Sequence, residues 1–421
     1  MPTQTLCSKS APIAPVPAML PVGMGMARAA AKACPVSCTE TVPLWLSGGR
    51  VLAQTVRATR ACPSFDQAAM DGYAVAAGAG LARGTRLRVS GRIAAGQQGT
   101  AVTTDAAARI FTGAPLPDGA DTVIMQEHAE RLGDAVVLAR SVAPGEHVRR
   151  RGEDVPVGRT LGWPGLRLDA RHVALLAAQD IGAVVVRRRI RVAILSTGDE
   201  LRDADDISRD GPSIPDTNRP MLAALLSRAG VEVVDGGQVR DNAGAIAQAL
   251  AALSWACDLV VTTGGASVGE EDHAARSLIL AGGEGETLKL GLKPGKPAVV
   301  GRIGGAAYLG LPGNPVSALV SWSLLGRAML ARLEGRPFAR PRGFVVPLAE
   351  PCVRKPGRTE FLPAKLVLGG EEPALAILGS TSARLMPLAE ADGLAELPET
   401  FASGAAGQRV AFHPFESFLA P

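Results

Sequence analysis

Aromatic residues are scarce in this chain, 4% of 421 residues, while apolar residues of all kinds make up 47%, so globular packing is expected without aromatic clusters. An excess of either charge is also missing. Lys+Arg 44 against Asp+Glu 40 gives a formal +4, too near neutral at this length to imply nucleic-acid binding, and any basic recognition must be local. The six cysteines are mostly far apart; Cys34 and Cys38 lie close, but no second Cys/His pair accompanies them, which excludes the usual zinc and iron–sulfur spacings. Free thiols in a reducing compartment are expected instead. The mildly apolar stretch Ala11 to Ala31 is broken by prolines and lacks a basic leader, so neither a signal peptide nor a membrane helix is expected, and the cytoplasm is the expected location. Two nucleotide fingerprints are missing as well: no GxGxxG follows the first strand and no GxxxxGK[ST] occurs. The five histidines are scattered and Ser267 is not in a GxSxG elbow, so metal-assisted transfer is favoured over covalent catalysis.

What is abundant is turn-forming residues, Gly 49 and Pro 31, on a chain long enough for roughly two to four domains. Residues 1–20 are small, Pro-rich and expected to be a disordered tail. Residues 21–62 and 140–185 read as one mixed N-terminal domain, and residues 63–139, with short β-like runs between Pro/Gly turns, as a small β-rich domain. Residues 186–335 alternate strand and helix: RVAIL, a helix Arg219 to Ala229, VEVVD, a helix Ala243 to Ala256, LVVTT, a helix from His273, two strands, then a helix from Pro315. That pattern predicts a mostly parallel sheet in a three-layer α/β domain, with ligand loops at the strand C-termini. Residues 336–421 return to short strands and read as a β-barrel-like C-terminal domain, making the whole a multidomain α/β chain.

Within the α/β region the turn TTGGASVGEED, Thr262 to Asp272, follows a buried strand and ends in three acids. Its Gly264 and Gly265 let backbone N–H groups approach an anion, while the acids would repel bare phosphate unless they face away or a divalent cation intervenes. Other loops follow other strands. STGDEL offers Ser196, Thr197 and Gly198 with the carboxylates Asp199 and Glu200. PDTNRP has Asp216 and Asn218 either capping a helix or contacting a heterocycle, and in QVRDN Asp241 either caps the next helix or reaches the crevice. LPGNPVSA holds Gly313 and Asn314 rigid between Pro312 and Pro315, and LKPGKP brings Lys293 and Lys296. Stiffened loops at successive strand ends form one crevice, suited to a polyanionic, nucleotide-like ligand with carboxylates holding Mg²⁺. The β-rich region adds MDGYAV with Asp71, FTGAPLP with Thr112, and RRRGED with Asp154, a mixed-charge set suited to a small oxyanion.

In this order, FDQAAMDGYAV, FTGAPLPDGADTVIMQE, VRRRGEDV, STGDEL, DTNRPML, TTGGASVGEED, LKPGKP and LPGNPVSA resemble the molybdopterin molybdenumtransferase family, the MoeA family, which is related to the C-terminal part of gephyrin. The resemblance implies insertion of molybdate into adenylylated molybdopterin, with release of AMP, formation of molybdenum cofactor and a need for Mg²⁺. It also implies a homodimer whose active site is shared between subunits, and docking with a molybdopterin adenylyltransferase, with no nucleic-acid or membrane partner. By motif position it assigns Asp71, Thr112 and Asp154 to molybdate, and Glu200, Asp241 and Asp272 to the metal and the adenylate. Ser267, Lys293, Lys296, Pro312 and Pro315 would frame the pterin-nucleotide crevice, whose MogA-like domain is shared with the adenylyltransferases. Those adenylyltransferases and non-catalytic molybdopterin-binding scaffolds are the alternatives; the extra β-rich region disfavours the first and the retained acids the second. Gln67, Ala68, Ala266 and His273 depart from the family pattern.

Overall fold

The computed structural model describes residues 19–206, 212–228, 230–265, 273–338, 340–370 and 372–419. The chain divides into two compact units, Met1–Cys38 with Arg187–Pro421, and Thr39–Val186.

The first unit contains the α/β sheet. Strands Glu232–Val239, Arg191–Thr197, Leu259–Thr263 and Ala306–Leu311 lie side by side and parallel; Pro297–Ile303 and Glu284–Lys289 extend the sheet antiparallel. The sheet is therefore parallel over four strands and antiparallel at one edge, where the polar segment Glu284–Lys289 is not legible as a strand from its sequence. Alternation along the strands feeds two cores. Val192, Ile194, Leu259 and Val261 pack on one face with Leu222, Leu226 and Val316, while Ala193, Leu195 and Val260 pack on the other with Ile246, Leu250 and Leu278. Helices cover both faces, giving three layers.

The helix Val22–Ala31 joins the first of these cores through Val22 and Met26, rather than the N-terminal mixed domain expected from its sequence position. Its Gly25 faces Leu290, where a Cβ would stand 2.4 Å from Cδ2, so a larger residue would require the Leu290 side chain to turn aside. The long apolar segment Pro315–Leu333 is of membrane-spanning length, yet 89% of it is buried in the protein. It runs as Pro315–Ser321, a π-helical turn Trp322–Gly326 and Arg327–Leu333, and the widened turn places the Trp322 ring against Gly326, where a Cβ would stand 2.1 Å away.

The C-terminal part of this unit is a second sheet in the order Leu292–Lys293, Thr359–Val367, Gly393–Leu397, Arg409–Pro414, Phe344–Pro347. Ala374–Ile377 pairs with Thr359–Val367 and bridges back through Leu375 to Leu348, which curls the sheet towards a barrel around Phe412, Leu362 and Leu397.

The second unit is built on a six-stranded sheet, Thr122–Met125, Gly72–Val75, Ala106–Ile110, Arg86–Ile93, Ala135–Leu138 and Ala129–Leu132, antiparallel except between Arg86–Ile93 and Ala106–Ile110. Tyr73 and Val75 face one core and Ala74 the other. A separate core around Leu52, Leu168 and Leu176 holds the helix Ala170–Ala177, which Asp169 caps through the amides of Arg171 and His172.

Candidate functional site

At the C-terminal ends of the parallel strands lies a cleft of about 500 Å³, lined by Thr197, Glu200, Leu201, the Ile214–Asn218 loop, Thr263, Gly264, the Gly313–Pro315 turn, Ala383 and Leu385. Its shape depends on close backbone approach. Gly264 has φ +92° and a Cβ there would stand 2.2 Å from Thr197 O, so the turn can enter only as glycine. Asn218 Nδ2 donates to Gly313 O at 2.7 Å and ties two of the loops together. Its Oδ1 is buried without a hydrogen-bond partner, an acceptor on the cleft wall that sequence spacing alone could not single out.

The structure shows which of these polar residues cap helices. Asp216 is buried, accepts from the amides of Asn218 and Arg219 at 3.1 Å each, and pairs with Arg219 Nε at 3.2 Å, so it caps the helix Asn218–Arg228. Asn242, rather than Asp241, caps the helix Ala243–Ala256 by accepting from Ala245 N at 3.0 Å. Asp241 is not the cap, and it is not among the residues that line the cleft. Its carboxyl is held above the usual range, first by partial burial and then by Glu200 and Asp199, against the opposing influence of His273. His273, one of the departures from the family pattern, therefore stands within electrostatic reach of this acid group.

Other expected residues are placed differently. Ser196 is fully buried, and its hydroxyl meets Thr263 Oγ1 at 3.4 Å inside the sheet, so its side chain does not line the cleft. Pro312 is buried behind Gly313 and Asn314. Gly198, Gly265, Lys293 and Lys296 are not lining residues. Lys293 Nζ instead sits 2.6 Å from Glu360 Oε1. Ser267 and Asp272 lie outside the described residues, as does Ala266. Among the described residues no group of three or more His, Cys, Asp or Glu is close enough to hold a metal ion.

In the second unit, Asp71 Oδ1 accepts from Thr112 N at 2.8 Å and from Thr112 Oγ1 at 2.7 Å, which joins two expected residues in one clamp. These bonds, the backbone one foremost, hold the Asp71 carboxyl below its usual range. Arg109 stacks on Phe111 and Tyr73 and donates to Gly72 O at 3.0 Å. Asp154 is exposed, its amide donating to Cys62 O at 3.2 Å. Within RRRGED, Arg150 is paired to Asp66 at 2.7 Å and the Arg151 amide donates to the same carboxylate, so two of the three arginines support the loop.

Three family descriptions match the chain in order: the MoeA N-terminal region (domain I and II) over residues 21–179, a probable molybdopterin binding domain over 193–332, and the MoeA C-terminal region (domain IV) over 345–415. A molybdopterin molybdenumtransferase from Nostoc sp. is 35% identical, over 87% of this chain and 86% of its own length. The Haemophilus influenzae protein of the same name is 36% identical over 77% and 80%. Among solved structures, a molybdopterin biosynthesis MoeA protein from Pyrococcus horikoshii superposes with a TM-score of 0.78 at 28% identity, covering 94% of this chain and 100% of that one.

Proposed function

The chain belongs to the molybdopterin molybdenumtransferase family, and from that premise we propose that its cleft takes up adenylylated molybdopterin and that the enzyme inserts molybdate, releasing AMP and forming molybdenum cofactor. The observation that carries this reading is the cleft at the strand C-termini, walled by Thr197, Glu200, Gly264 and the Gly313–Pro315 turn, with Asp241 near enough to Glu200 and Asp199 for their charges to raise its carboxyl pKa.

Such a donor set fits Mg²⁺, which takes one or two carboxylates and completes its shell with water and phosphate oxygens. Glu200, Asp241 and Asp272 are the residues we assign to hold it. Bound there, the ion supplies charge neutralisation and Lewis acidity for a phosphate group. The chain's own residues orient the substrate. Thr197, Gly264 and the Gly313–Pro315 turn form a stiff wall, and Asn218 Oδ1 is free to accept an N–H from a heterocycle. In the proposed reaction the anhydride joining adenylate to the molybdopterin phosphate is broken at phosphorus by an oxygen nucleophile and AMP leaves; the two dithiolene thiols then bond to molybdenum, and one molybdate oxygen leaves as water with their two protons. Asp71, Thr112 and Asp154 are assigned to the molybdate side. We further assign the working form to a homodimer with a site shared between subunits, docked by the adenylylating enzyme that supplies its substrate. A cytoplasmic setting fits the five described cysteines, all free thiols.

The test is AMP release from adenylylated molybdopterin by the full-length protein with Mg²⁺, with and without micromolar molybdate, beside Asp241→Asn. Molybdate-dependent release, lost in the variant, is expected. Tight substrate binding with no release would sink the transferase reading in favour of a scaffold.

A further inference from the structure

The lysine loop has an attachment of its own. Leu292–Lys293 forms a strand of the C-terminal sheet, parallel to Thr359–Val367, with Lys293 opposite Glu360. The Thr359 amide donates to Gly291 O at 2.9 Å and fixes that register. Two residues on, Gly295 has φ +107°, and a Cβ there would stand 2.5 Å from Ser321 Oγ and 3.5 Å from Ser317 O. Both serines lie on the helix that leads away from the Gly313–Pro315 wall of the cleft. The loop is thus clamped between the C-terminal sheet and a helix that begins in the candidate site.

Glu360 is the group this clamp depends on. Its side chain is 5% exposed, with Lys293 Nζ at 2.6 Å and Arg354 Nε at 3.6 Å. A carboxylate so buried is costly unless a cation accompanies it. Arg354 spends another donor on Val353 O at 2.7 Å, whereas Lys293 makes the short contact and keeps its side chain 40% exposed. The ammonium is held on one side and open on the other.

We propose that Glu360 is a positioning residue: it holds the Lys293 ammonium in place for the anionic part of the substrate, so that the C-terminal sheet acts on the reaction through this one contact. The proposal rests on the reading of Lys293 as a substrate contact. A lysine already ordered by Glu360 gives up less side-chain freedom when an anion arrives. Glu360 also has an opposite influence, because its negative charge offsets that of Lys293. If only the field mattered, removing the charge would tighten anion binding; if placement matters, removal weakens it. The two readings differ in sign.

The experiment uses the full-length protein, with steady-state AMP release and calorimetric binding of adenylylated molybdopterin measured for each variant and thermal melting as the check on folding. Glu360→Gln, nearly the same shape, is expected to raise KM and Kd about tenfold with kcat within about twofold. Lys293→Ala should show a similar rise, and the double variant no further one. Arg354→Met, which removes the more distant cation and leaves the pair, should keep KM within about twofold. Tighter binding by Glu360→Gln, an equal loss from Arg354→Met, or an undiminished Glu360→Gln effect in the Lys293→Ala background would each overturn the proposal. Should the parent protein show no molybdate-dependent release, the transferase reading fails by itself, and the binding measurements still decide the role of Glu360.

Discussion

Asp71 and Asp241 are both acids beside strand ends, one just before Gly72–Val75 and the other just after Glu232–Val239, yet the protein treats them in opposite ways. Asp71 is given donors. The amide and hydroxyl of Thr112 settle its charge, and its carboxyl stays ionised to lower pH than usual. Asp241 is given partial burial and acidic neighbours, Glu200 and Asp199, and its carboxyl is harder to ionise. A carboxylate already satisfied by its own fold is a finished piece of structure that can present a shaped surface. One that is crowded by other acids is suited to a cation, and on the proposed reading the metal goes to the α/β cleft and the small oxyanion to the β-rich unit.

The sharpest way to break the contrast is Asp241→Asn. AMP release should fall on the order of 10² to 10³-fold if the acid holds the metal. Stability should move the other way. Because the folded-state pKa is raised, the folded protein binds more protons than the unfolded chain just above the ordinary carboxylate range, so ionising Asp241 costs stability as pH rises. The variant should therefore match the parent near pH 4 and exceed it at pH 7 in urea melts; a less stable variant at pH 7 would show that the Asp241 charge supports the fold. Next in size is Gly264→Ala, which forces a Cβ towards Thr197 O at a φ of +92° and should cost about 2–4 kcal/mol in the same melts. A cost under about 0.5 kcal/mol would mean that the cleft wall yields readily. Smaller again is Asp71→Asn, which keeps the shape of the clamp on an exposed site and should leave the melting temperature within about 2 °C of the parent.

Much of this contrast was legible in the sequence, but unevenly. The helix Ala243–Ala256 and the strand Leu259–Thr263 follow from apolar pattern and length, and the cleft follows from stiffened loops at strand ends. Which acid of a loop faces the ligand did not follow. Asp216 and Asp241 stand in similar polar turns, and only the positions of Asn218, Arg219 and Asn242 decide that the first is a cap and the second is not. Glu360 was invisible for a related reason: a buried charge on a mostly apolar strand is explained only by the lysine that tertiary structure brings to it. Nor does periodicity show that helix Val22–Ala31 belongs with a core whose members beyond Val36 begin more than a hundred residues later.

The finest distinction within the β-rich unit concerns Glu146, an acid satisfied as Asp71 is but by a cation as well. Arg140 Nη2 lies 2.5 Å from its Oε2, the Ala143 amide donates to Oε1 at 2.7 Å, and the carboxyl is pulled down to about 2, chiefly by Arg140. A depressed folded-state pKa means that the unfolded chain binds more protons between roughly pH 4.3 and the folded value, so the contact stabilises above that window and is lost as pH falls through it. The pair is solvent-screened, so the effect is local and small. Hydrogen exchange at the Ala143 amide reads it without requiring the whole chain to unfold. Glu146→Gln should lower protection there a few-fold at pH 6. Parent and variant should converge as the pH approaches about 2, where the parent carboxyl also gains its proton. Equal protection at pH 6 would mean that the loop is held by the Glu146 backbone alone, through its carbonyl to the Val123 amide, and that the charge adds nothing.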